Sequence, residues 1–174
     1  MGRNKALIEI DGTPMAVRVA GALREAGCAP VIAYGGDPDE LAPLGLAVTP
    51  DRYPGTGPLG GVLGLLEMLA VDHGDAVAFA VACDLPALSS DALAPMLQTI
   101  RRRSDLDVVV AHTSQIEPAC AVWRVASHTR LRTCFESGER ALHRAIGTLA
   151  STAVAIDPSA VRNINTPEEL GRYP

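Results

Sequence analysis

AVAFAVAC, Ala76 to Cys83, is an eight-residue run of apolar side chains followed at once by Asp84, Leu85 and Pro86. It is far too short to cross a bilayer. Being apolar on both faces, it reads as a central strand of a parallel sheet covered by helices on each side. The flanking segments carry a helical period. Upstream, Leu59, Val62, Leu63, Leu66 and Leu69 share one face of a helix over 59–71; downstream a helix is expected over 90–103. Further out the alternation continues. Strands are expected at Ala6–Ile10, closed by a turn at Asp11-Gly12, and at Pro30–Tyr34, 47–49, Asp107–His112, Ala119–Arg124 and 151–156. Helices are expected at Met15–Ala26, stopping at Gly27, and at Ser127–Phe135. Strands alternating with helices at this spacing imply an α/β fold, an open sheet with helices on both faces forming one domain over 1–174.

Composition narrows the function classes. The 174 residues are 48% hydrophobic and 20% charged, the balance of a folded globular chain. A net charge of −5 and only 3% aromatic residues argue against general nucleic-acid or anionic-membrane binding. The basic run Arg101–Arg103 complements the end of a helix. Cys28, Cys83, Cys120 and Cys134 form no CxxC pair and the four histidines no HxxxH pair, so a zinc site has no support. Reduced thiols and the lack of a signal-peptide core at the N-terminus point to a soluble cytoplasmic protein.

In an open α/β sheet ligands gather beyond the carboxyl ends of the strands. Asp84 lies there, either as a carboxylate for a hard cation or as a turn residue before Pro86. DRYPGTGPLGG, Asp51 to Gly61, leads into a helix whose free amides suit an anion, or is an ordinary Gly/Pro loop. It carries neither a Walker nor a dinucleotide fingerprint. Lys5 is the only lysine among fifteen basic residues, and with Arg3 and the Gly2 backbone it forms an anion grip or a chance cluster at a terminus. Near the end, Thr166, Pro167 and Glu169 make a capping box. Asn163 and Asn165 before it either donate to a ligand or satisfy loop backbone. No nucleophile elbow is present.

Taken in order, MGRNKALIEIDGTP, the Asp51 loop with GPLGG, ACDLP, EPACAVW, SGERAL and NINTPEEL resemble the molybdenum cofactor guanylyltransferase family. The resemblance implies a three-layer α/β/α, Rossmann-like nucleotide-diphospho-sugar transferase fold with a mostly parallel sheet. It also implies transfer of GMP from GTP to the phosphate of molybdopterin, with loss of pyrophosphate. By the same resemblance Lys5 contacts the GTP phosphates, alongside Gly2 and Arg3. Asp84 holds Mg²⁺, Asp51 lines the nucleotide pocket, and Pro58, Leu59 and Gly60 form the loop beside it. Asn163 and Asn165 face the pterin substrate or the metal, and Arg140 faces the pterin. GPLGG and the Cys83-Asp84 pair favour guanine over the related CTP-dependent pterin cytidylyltransferases. Other readings are a sugar-phosphate nucleotidyltransferase or a non-catalytic nucleotide-binding module. Family members place a strand and a glycine-rich LAGG-type loop before Met-Gly-Arg, and the expectation is that both are missing here.

Overall fold

A computed structural model describes residues 4–163. The chain opens with a 3-10 turn at Lys5–Leu7, then β1 (Glu9–Ile10), β2 (Thr13–Pro14), α1 (Met15–Glu25), β3 (Ile32–Tyr34), α2 (Pro38–Leu41) and β4 (Ala47–Thr49). It continues through α3 (Gly57–His73), β5 (Val77–Val81), α4 (Ser90–Arg102), β6 (Val108–His112), β7 (Ile116–Arg124), α5 (His128–Glu136), α6 (Leu142–Ile146) and β8 (Ser151–Ala155). Helix ends follow local chemistry. Ser89 caps α4 by accepting from the Ala92 amide at 3.3 Å, and Arg101 and Arg102 sit in its last turn. Past α1, Gly27 takes a φ of +83°, which stops the helix as its sequence suggests.

The main sheet has the order β5-β7-β6-β8. Its two faces are read directly from the period-2 rule. Val108, Val110, Ala121 and Trp123 face one way, against Leu59, Leu63 and Leu66 of α3, Leu131 of α5 and Ala145 of α6. Val109, Ala111, Cys120 and Val122 face the other way, against Val19 of α1 and Leu93, Met96 and Ile100 of α4. This is the expected three-layer α/β/α arrangement. β3 and β4 form a separate parallel pair, with Leu41 and Leu46 packed against Ala16 and Ala20 of α1.

Two expectations change. Among the described residues β5 is not central in its sheet: it lies at the edge, half-buried, and pairs antiparallel with β7. β7 is also antiparallel to β6, while β6 and β8 are parallel, so β5, β6 and β8 share a direction and β7 alone opposes them. Only residues 113–115 separate β6 from β7, a hairpin connection too short for a parallel crossover. The second change is at Ala6–Ile10. The Asn4 side chain accepts from the Ala6 amide at 3.2 Å and winds the chain into a 3-10 turn, leaving a two-residue strand. The Asp11-Gly12 turn is as expected, both residues taking positive φ. The short helices α2 and α6 carry too few residues to show a period. Among the described residues no helix is long and apolar enough to cross a membrane.

Candidate functional site

Two groups of side chains gather beyond strand ends. The first joins the chain's opening to the exit of β5. Lys5 Nζ lies 3.4 Å from Asp84 Oδ2, and the Asp84 side chain is only 15% exposed. Its other oxygen, Oδ1, is buried and accepts no hydrogen bond. Arg18, on α1, fastens the surroundings. Its Nε donates to the Pro86 carbonyl at 3.1 Å and its Nη1 to the Ile10 carbonyl at 3.4 Å, tying the turn after Asp84 to the hairpin after Lys5. Sequence reading missed Arg18, because nothing local marks a helix residue that braces two distant turns. Cys83, beside Asp84, is exposed.

An orphaned, buried carboxylate oxygen beside an ammonium fits a cation brought in with a phosphate ligand. Among the described residues no three histidine, cysteine or acidic side chains converge, so a metal cage made wholly of protein is absent there. That donor set suits Mg²⁺, which is commonly held by one or two carboxylates with substrate phosphates and water filling the remaining positions.

The second group surrounds Asp51, just past β4. Its Cβ lies 3.5 Å from where a Cβ on Gly35 would stand, and Gly35, at φ +81°, follows β3. Asp51 Oδ1 accepts from the Tyr53 amide at 2.9 Å, an Asx turn that fixes the carboxylate to its own loop. The Arg52 amide donates to the Tyr34 hydroxyl at 3.1 Å. Under the loop lies Glu67 of α3, its side chain 2% exposed. Its Oε2 accepts from the Tyr53 hydroxyl at 2.9 Å and pairs with Arg52 at 3.1 Å, while Oε1 receives Arg132 Nε at 2.8 Å. Burial, and then the hydrogen bond to Glu67, raise the Tyr53 phenol. Glu67 breaks the apolar pattern of its helix, which is the one signal by which the sequence could have shown it.

The expected loop residues divide. Pro58 is exposed, whereas Leu59 is fully buried in the core against β6 and β7, so its side chain serves packing. Gly60 is needed for space: a Cβ there would stand 1.9 Å from Thr56 Oγ1, whose hydroxyl donates to the Tyr53 carbonyl. The Arg140 carbonyl comes within 4.0 Å of a Cβ on Gly57, which places the SGERAL turn beside the start of α3. The Arg140 guanidinium stacks 4.0 Å over the Phe135 ring and donates to the Phe135 and Glu139 carbonyls. Asn163 is exposed after a 3-10 turn at Pro158–Val161. Gly2, Arg3, Asn165 and the capping box at Thr166 lie outside the described residues.

Residues 1–153 match the MobA-like NTP transferase domain. The chain belongs to this family. The MobA-like transferase is 32% identical to the molybdenum cofactor guanylyltransferase of Rhodobacter capsulatus, over 99% of this chain and 87% of that protein. It is 34% identical to the molybdenum cofactor guanylyltransferase of Cereibacter sphaeroides, over 98% and 86%. Solved structures share the fold. The molybdopterin-guanine dinucleotide biosynthesis protein A of Archaeoglobus fulgidus superposes with a TM-score of 0.76 at 17% identity, covering 98% of this chain and 89% of that one. The 2-C-methyl-D-erythritol 4-phosphate cytidylyltransferase of Thermus thermophilus does so with 0.69 at 17% identity, over 97% and 91%.

Proposed function

We propose that this MobA-like transferase moves GMP from GTP to the terminal phosphate of molybdopterin and releases pyrophosphate. One observation carries the reading: over nearly its whole length the chain is similar to guanylyltransferases. The meeting of Lys5 and Asp84 at the exit of β5 agrees with it. The second pKa of a phosphate monoester is about 6, so the acceptor is mostly dianionic near neutrality and needs no Ser-His activation. A phosphate oxygen attacks the α-phosphorus of GTP, the α–β bridging bond breaks, and its electron pair leaves with pyrophosphate. The obstacle is repulsion between anions. Lys5 offsets it with a compact positive charge at the phosphates, and the free amides at the start of α3 add partial positive charge. Asp84 would hold Mg²⁺, which when bound neutralises charge on the phosphates and leaving group. Gly2 and Arg3 belong with Lys5 in this reading. Asp51 and the Pro58–Gly60 main chain line the nucleotide pocket, and Asn163, Asn165 and Arg140 face the pterin. Unpaired thiols at all four cysteines suit a cytoplasmic enzyme.

The test is pyrophosphate release from GTP with molybdopterin as acceptor, set against CTP and ATP, in the parent and in Asp84→Asn. GTP is expected to be preferred, and Asp84→Asn to lose about 10²–10³-fold in turnover with an unchanged melting temperature. Preference for CTP, or full activity in Asp84→Asn, would overturn the assignment.

A further inference from the structure

Glu67 holds a charge where an apolar side chain would serve α3 better. A buried carboxylate carries a desolvation penalty that only close partners offset. Here the partners come from two places. Arg52 and Tyr53 belong to the loop that bears Asp51, and Arg132 belongs to α5, which leads into the segment that bears Arg140. The link continues through rings. Tyr53 packs on Phe135 with centroids 5.0 Å apart, and Phe135 lies beneath the Arg140 guanidinium. From Asp51, whose carboxylate holds the Tyr53 amide, an unbroken series of contacts thus runs to Arg140.

We propose that Glu67 is a positioning residue that couples the Asp51 loop to the Arg140 segment, so that the two halves of the site are set by one buried carboxylate. The assignment of those halves to nucleotide and acceptor rests on the function proposed above; the coupling does not. Aromatic rings and a planar guanidinium suit this role because their stacked geometry transmits a displacement with few rotatable bonds.

Amide hydrogen exchange on the full chain tests the coupling without any need for turnover. Glu67→Gln is expected to lower protection about tenfold in both 51–56 and 137–141, the fold-change of a lost interaction near 1.4 kcal/mol. Phe135→Leu keeps every partner of Glu67 and removes the ring stacked between Tyr53 and Arg140, so it should loosen 137–141 more than 51–56. Added to Phe135→Leu, Glu67→Gln should then loosen only 51–56 further. Asp105→Ala, which breaks an exposed pair with Arg103, should loosen neither. If Glu67→Gln loosens the Asp51 loop and leaves 137–141 unchanged, or if Phe135→Leu leaves 137–141 protected, the coupling is wrong. Should Glu67→Gln fail to fold, Arg132→Gln, which cuts only the α5 side of Glu67, decides: loosening of 137–141 supports the coupling and unchanged protection there overturns it. In transfer assays Glu67→Gln and Phe135→Leu should raise the acceptor KM about tenfold and change kcat little, a split that general destabilisation does not produce. A parent without guanylyl transfer would sink the proposed function and leave the exchange result to judge the coupling.

Discussion

Gly60 shows how a residue that looks made for a ligand is first required by its neighbours. The Thr56 hydroxyl occupies the space a side chain would take, and the Cβ atoms of Thr56 and Tyr53 stand 3.1 and 3.2 Å from the same point. Gly60→Ala is therefore expected to overpack the turn and cost about 1–3 kcal/mol. For a domain of this size that lowers Tm by about 2–4 °C per kcal/mol. Thr56→Ala removes the nearest obstructing atom, so in that background Gly60→Ala should cost clearly less. Calorimetric melting of the four proteins checks this, and equal costs in both backgrounds would show that the strain lies elsewhere. Resemblance alone assigns Gly60 to the nucleotide loop; the geometry adds that a side chain there would first displace Thr56 and its hold on Tyr53.

Among the elements, the turn between α5 and α6 is held by one carboxylate. Glu139 accepts from the Arg140 and Ala141 amides at 2.7 and 2.8 Å and from Arg144 Nε at 2.6 Å. The Arg144 hydrogen bond first, then those amides, lower its carboxyl to about 2. The sign follows from linkage: a depressed carboxyl stabilises the fold above its unfolded value and stops doing so as pH falls through its folded value. The urea midpoint of the parent should thus exceed that of Glu139→Gln by a constant gap above the ordinary value of 4.5, and the gap should close as pH drops toward 2. A gap that persists unchanged at pH 2 would remove Glu139 as the holder of this turn. None of this was legible beforehand. SGERAL could be matched as a motif, but Glu139 gathers amides of its own turn, and only the folded path of the chain brings them to one carboxylate.

For the whole molecule, the sequence carried the layers well and the strand directions poorly. Periodicity placed α1, α3 and α4 because each has enough turns to repeat an apolar face. It placed Asp84 beyond a strand end, since a carboxylate after an apolar strand lies there whichever sheet position the strand takes. It misplaced β5 because an apolar run says that both faces are covered and nothing about which strand lies alongside. It also left Glu67 and Arg18 unseen, as both act across long sequence separations. α1 is the element that joins the parts: Ala16 and Ala20 pack toward β3 and β4, Val19 and Ala22 toward α4 and the main sheet. We therefore propose that the chain unfolds as one unit. Trp123, the only tryptophan, is fully buried on the far face of the main sheet and reports that region. Its emission and far-ultraviolet circular dichroism should give one urea midpoint. Val19→Ala removes two buried carbons, at about 0.8 kcal/mol each, and should lower both midpoints together. If the dichroism midpoint fell and the Trp123 midpoint stayed, α1 and the β3–β4 pair would be unfolding apart from the main sheet. The site would then rest on two units, since Lys5 and Asp51 lie on one side of that division and Asp84 on the other.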